Sequence, residues 1–80
     1  MKEIKIGGIY QHFKNKHFYK VICVAKDCDD LEDLVIYESQ YADALSKFWV
    51  RPLGNFLEQV EVGGQLVDRF TLQNDEADND

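Results

Sequence analysis

The chain has 80 residues, 45% of them hydrophobic and 30% charged, with a formal net charge of −6. These values describe one compact globular domain and exclude a disordered chain or a coiled coil. Overall acidity also disfavours a tight grip on a nucleic-acid backbone, which needs clustered Lys and Arg.

A domain this short buries only about 60% of the surface its unfolded chain exposes. Five Phe, four Tyr and one Trp can fill a small core without a disulfide or a metal. The opening residues, Met1 to Lys5, are followed closely by Gly7 and Gly8 with no signal-peptide pattern, and no apolar run is long enough to span a bilayer. The expectation is a cytoplasmic protein that needs no membrane and keeps Cys23 and Cys28 reduced. Charge is unevenly spread: residues 1–20 carry five Lys and one Glu, whereas 21–46 carry Lys26 and seven acids. Residues 74–80 hold four acids and almost nothing to bury. They are expected as a disordered acidic tail that could compete with an anionic ligand, leaving residues 1–73 as the domain.

In chain order, Gly7 and Gly8 precede a short aromatic stretch at 9–13, which reads as a strand. A polar break at 14–17 follows, with Asn15 suited to positive φ, and then the aromatic and β-branched run 18–25 completes a hairpin. After the acidic turn at 27–30, the run 34–39 is apolar on both faces and predicts an interior strand covered on two sides. Residues 42–47 are a connector with room for one helical turn, and 48–51 predict a fourth strand ended by Pro52. Leu53, Phe56, Leu57 and Val60 fall at helical spacing and predict a short α or 3₁₀ segment. Gly63 and Gly64 mark a turn, and the alternating stretch 65–72 closes the chain as a fifth strand, with Leu66, Phe70 and Leu72 on one face. The fold class is therefore mainly β: a small five-stranded, partly open barrel with one short helical or 3₁₀ turn.

Chemical motifs are sparse. His12, His17, Cys23 and Cys28 are a familiar zinc set by type, but each pair is separated by four residues, wider than the usual close pairing, and Cys23 reads as a small mid-strand hydrophobe. No metal or cofactor is expected. Phosphate-loop, nucleophile-elbow and zinc-helix patterns are missing, so no catalytic residue is assigned. Alternation sets Tyr10, His12 and Lys14 as a surface row on the first strand. Trp49 and Arg51 share one face of the fourth, where a stackable ring beside a guanidinium suits recognition, although a lone Trp also suits the core.

Read together, Gly8-x-Tyr10-x-His12-Phe13-Lys14, Tyr19-x-Val21, Glu32, Val35-x-Tyr37, Tyr41, Trp49-Val50-Arg51-Pro52, Phe56-x-Glu58 and Arg69-Phe70 resemble a bacterial family, domain of unknown function 1653. Asn15 stands where that family usually has Gly, and the 26–30 loop departs from its pattern. The resemblance implies an SH3-like barrel and no established activity. Its motif includes the polar positions Tyr10, His12, Lys14, Glu32, Tyr37, Arg51 and Arg69.

The resulting expectation is a binding module without chemistry of its own, with a patch of Tyr10, His12, Lys14, Tyr37, Trp49, Arg51 and Arg69. The two arginines would fork onto a carboxylate or phosphate, and the partner would be a nucleotide, single-stranded nucleic acid or a protein. The alternative is a small hydrolase of a nucleotide-like substrate, with His12 as general base supported by Glu32 or Glu58. A third reading makes the same groups structural, with Arg51 or Arg69 in a buried pair with Glu32 or Glu58.

Overall fold

Aromatic and β-branched runs bounded by turn residues set the strands, and the computed structural model describes residues 3–73. The expected acidic tail at 74–80 lies outside the described residues. Seven strands and one helix follow in the order β1 (Ile9–His12), β2 (Phe18–Lys26), β3 (Asp33–Ser39), β4 (Phe48–Pro52), α1 (Leu53–Leu57), β5 (Gln59–Val62), β6 (Gln65–Asp68) and β7 (Phe70–Leu72). They build an antiparallel five-stranded sheet, β4-β3-β2-β1-β7, and a separate β5-β6 hairpin. The protein is mainly β, as expected, and the five-stranded sheet stays open because β4 and β7 do not pair with each other. No helix among the described residues is long and apolar enough to cross a membrane.

The inner face of the sheet carries the core. Tyr10, Tyr19, Val21, Val35, Tyr37, Phe56 and Phe70 are buried, and five of these seven are aromatic. Phe56 on α1 stacks flat on Phe70 with centroids 4.0 Å apart, and Tyr10 and Tyr37 meet Phe56 edge-on at 5.2 and 5.4 Å. Edge-to-face contacts of this kind add to the gain from burial itself. Each buried tyrosine hydroxyl has a partner: Lys5 N–H for Tyr10, Arg51 Nε for Tyr37, and Tyr41 and Asn15 for Tyr19.

Several local expectations change. Val60 belongs to β5, not to the helix, because Gln59–Val62 pairs with Gln65–Asp68 across a two-residue Gly63-Gly64 turn. Both glycines hold positive φ, 59° and 85°, the mirror-image turn whose twist suits a hairpin. Gly64→Ala is expected to cost about 1–2 kcal/mol, the strain of a Cβ in left-handed backbone, read as a lowered urea midpoint. The stretch 65–72 breaks at Arg69 into two strands in different sheets. Leu66 is thereby left exposed while Phe70 is buried.

In the first hairpin the positive φ falls on Lys16, not Asn15; Asn15 Oδ1 instead accepts the His17 N–H at 2.8 Å and shapes the turn. The 42–47 connector forms turns and bends without a helical turn. β3 buries one face only: Val35 and Tyr37 are inside, whereas Leu34 and Ile36 are half-buried on the other face.

Candidate functional site

A cleft of about 300 Å³ opens where β2, β3 and β4 present the rim of the aromatic core. Tyr37 and Trp49 are cross-strand partners, so the pleat sets both side chains on the same inner face. Tyr19 crosses Tyr37 edge-on at 5.4 Å. The β3–β4 connector folds back to bring Tyr41 against Tyr19, with hydroxyls 3.1 Å apart, and Tyr41 stacks on His17 at 3.8 Å. Leu45, 92% exposed, stands at the rim. The indole N–H of Trp49 donates to Ser39 Oγ at 2.7 Å, which fixes the ring in place. Burial first, then the hydrogen bond with Tyr41, holds the Tyr19 phenol above its ordinary pKa.

Arg51 supplies the cleft's charge. Its Nε–H donates to the Tyr37 hydroxyl at 3.0 Å and Nη1 donates to Asn55 Oδ1 at 2.8 Å. The guanidinium carbon lies 5.1 Å from the centre of the Phe70 ring and 5.9 Å from that of Tyr37. A guanidinium has five N–H donors; Nη2 bonds nothing among the described residues, and no carboxylate pairs with this arginine there. Among the described residues, no Asp or Glu lines the cleft. Arg51 is thus a half-buried cation held by neutral partners, with donors to spare.

His12 stands beside it, edge-on to the same Phe70 ring at 4.9 Å. Its Nδ1 accepts the Lys14 N–H at 3.1 Å, with the Asn15 N–H behind it at 3.5 Å. That bond assigns the proton of the neutral ring to Nε2. Burial, then the charges of Arg51, Arg69 and Lys14, lower the His12 pKa below its ordinary 6.5. A histidine that resists protonation when folded contributes stability that is full above 6.5 and is lost as pH falls from there through the lowered folded value. His12→Asn keeps an acceptor for the turn N–H. It is expected to flatten that acid-side loss, read as melting temperature against pH beside the parent protein.

The structure gathers His12, Tyr37, Trp49 and Arg51 at one cleft and sends the other expected patch residues elsewhere. Tyr10 is 4% exposed and belongs to the core, so the Tyr10–His12 face of β1 points inward and is not a surface row. Lys14 lies beyond the end of β1, in the exposed turn. Arg69 sits at the β6–β7 break, where Nε donates to the Asn55 carbonyl at 3.1 Å and Nη2 meets Glu58 Oε1 at 3.1 Å. It fastens the end of α1 to the hairpin.

The expected acid–base pairing of His12 is not assembled. Neither Glu32 nor Glu58 lines the cleft; Glu32 closes the 27–32 loop through its backbone, and Glu58 is engaged by Arg69. The imidazole lone pair that a general base would use is occupied by the turn N–H. The four zinc-type residues are not gathered either. Asp27, half-buried, and the exposed Cys28 and Asp29 bring ligand-type atoms together, and Asp27 Oδ1 already accepts the Asp29 N–H. Cys23 lies mid-strand, as expected, but is exposed.

Sequence reading missed Tyr19, Tyr41 and Asn15 as cleft residues. Both tyrosines stand in the family motif, but Tyr19 reads otherwise as a strand residue and Tyr41 reaches it across 22 positions of chain.

The sequence profile described as Protein of unknown function (DUF1653) matches residues 8–72. The chain belongs to this family. The fold is similar to the crystal structure of a family member from Bordetella bronchiseptica, at 28% identity and a TM-score of 0.75, covering 89% of this chain and 88% of that one. No curated relative matches the sequence. The match spans every strand and the helix of the DUF1653 domain described above, including all the cleft residues.

Proposed function

We propose that this domain is a small binding module without chemistry of its own, and that its cleft takes a flat group carrying a negatively charged end. The observation that carries the reading is Arg51: a half-buried cation with free donors and no carboxylate partner among the described residues, set in ring walls. Such a charge costs desolvation without the return of an ion pair, a cost that an anionic ligand offsets. Trp49 and Tyr41, the partly exposed rings of the cleft, supply surface on which a base or other planar group stacks. With a net charge of −6 and Arg69 already engaged, the balance suits a single nucleotide or the end of a strand better than a long phosphate backbone. The reading includes a reducing, cytoplasmic setting, in keeping with the exposed free thiols of Cys23 and Cys28.

The test is a ¹⁵N–¹H NMR titration with uridine monophosphate at low salt, followed through the indole N–H of Trp49, the chain's single tryptophan. Saturable shifts at Trp49, Tyr37, Tyr41 and Arg51 that weaken with added salt are expected. An unchanged spectrum, or shifts confined to other surfaces, would overturn the proposal.

A further inference from the structure

The hydrogen bonds within the domain leave the cleft with an unusual polarity. The Nδ1 lone pair of His12 is used by the Lys14 N–H, so the ring offers Nε2–H. The Tyr37 hydroxyl accepts from Arg51 Nε, so its own proton is free to donate. Arg51 can only donate, and its Nη2 is open. Asn15 Oδ1 holds the His17 N–H and its Nδ2 donates to Tyr19, while the Ser39 oxygen beside Trp49 is taken by the indole. His12, Arg51 and Tyr37 converge on one ring, Phe70, at 4.9, 5.1 and 5.5 Å.

We infer that His12, Tyr37 and Arg51 form a triad in which donors outnumber acceptors, so that it favours a fully deprotonated oxyanion, carboxylate or phosphate, on a planar ring over the matching amide. The inference rests on the binding reading above and adds the rule by which the ligand is chosen. An oxyanion offers only acceptors and meets all three donors. An amide NH₂ in the same place turns a donor towards donors and leaves buried groups unpaired. His12 acts here as a neutral donor, since a second ring proton on Nδ1 would face the Lys14 N–H. The charged groups around it are Arg51 on β4, Arg69 before β7 and Lys14 in its own turn, all cationic.

Benzoate, benzamide and benzamidinium share one planar shape and differ in charge and hydrogen-bond sense, and each is titrated near neutral pH against the Trp49 indole N–H and its fluorescence. Benzoate is expected to bind roughly tenfold or more tightly than benzamide, the penalty for unpaired donors, with benzamidinium weakest. His12→Asn is expected to weaken benzoate while leaving benzamide nearly unchanged. Phenyl phosphate in a parallel arm shows by its rank against benzoate whether the natural anion is a phosphate or a carboxylate. Equal binding of benzoate and benzamide, or tightest binding of benzamidinium, would overturn the donor rule and leave the cleft as a site for rings. If none of the four compounds perturbs Trp49, the binding reading itself fails.

Discussion

Phe56→Ala is expected to leave most of the protein unfolded at room temperature. Phe56 is 1% exposed, stacks on Phe70 and meets Tyr10 and Tyr37 edge-on, and it is the fully buried side chain of α1, with Leu53 and Leu57 only partly buried beside it. Removing a buried phenylalanine costs about 3–5 kcal/mol in lost transfer energy and residual cavity. A single core of this size rarely supplies more than about 3–5 kcal/mol in total, so nothing remains to hold the sheet. Near-ultraviolet circular dichroism and a urea titration read the effect directly. Phe48→Ala is the control: that ring is 52% exposed on β4, and its loss is expected to change stability by about 0.5 kcal/mol or less. A Phe56 variant that keeps the parent's midpoint would show that the core is not organised around this stack.

Arg51→Met separates binding from folding. If Arg51 were half of a buried ion pair, breaking it would cost about 3–5 kcal/mol by stranding the partner charge. It has no such partner among the described residues, and its acceptors, the Tyr37 hydroxyl and the Asn55 amide, are neutral. The expected loss is therefore about 1–3 kcal/mol, that of hydrogen bonds from a charged donor. Affinity for uridine monophosphate is expected to fall by a factor of about ten or more, because the charge-assisted contact disappears. Arg69→Met should do the reverse, loosening the α1–hairpin junction through Asn55 and Glu58 while leaving ligand affinity nearly intact. Urea midpoints and Trp49 fluorescence on the three proteins give both quantities. A folded Arg51 variant with unchanged affinity would return the residue to a structural role.

The parts of the fold that sequence could reach are those where composition and boundaries agree. Strands β1 to β4 are aromatic or β-branched runs closed by turn residues, and all four lie within two residues of their expected limits. The β5–β6 hairpin was hidden by a coincidence of periods. Leu53, Phe56, Leu57 and Val60 match a helical face, yet Gln59–Val62 also alternates, and the pairing across Gly63-Gly64 decides between them. The break at Arg69 was not read because Asp68 passes as a single exception in an alternating stretch; the side chain's bonds to Asn55 and Glu58 reveal a junction there.

The candidate site divides in the same way. Trp49 and Arg51 share a face by strand geometry alone, and the structure keeps them together. Tyr10 was drawn into the patch because alternation sets it on the face of His12, and alternation alone does not say which face is buried. Tyr41 lay beyond reach because its position depends on how the β3–β4 connector folds back over Tyr19. The acidic tail at 74–80 lies outside the described residues, and deleting it tests whether it competes with an anionic ligand.

The Arg51 guanidinium is held ready for an anion by neutral partners, and its own side-chain NMR signals report whether one arrives. With phenyl phosphate added, the Nε and Nη resonances of Arg51 are expected to move along the same saturation curve as the Trp49 indole, while those of Arg69, engaged with Glu58, stay in place. Arg51 signals that remain fixed while Trp49 responds, or that move no more than those of Arg69, would show that the anion does not meet this guanidinium.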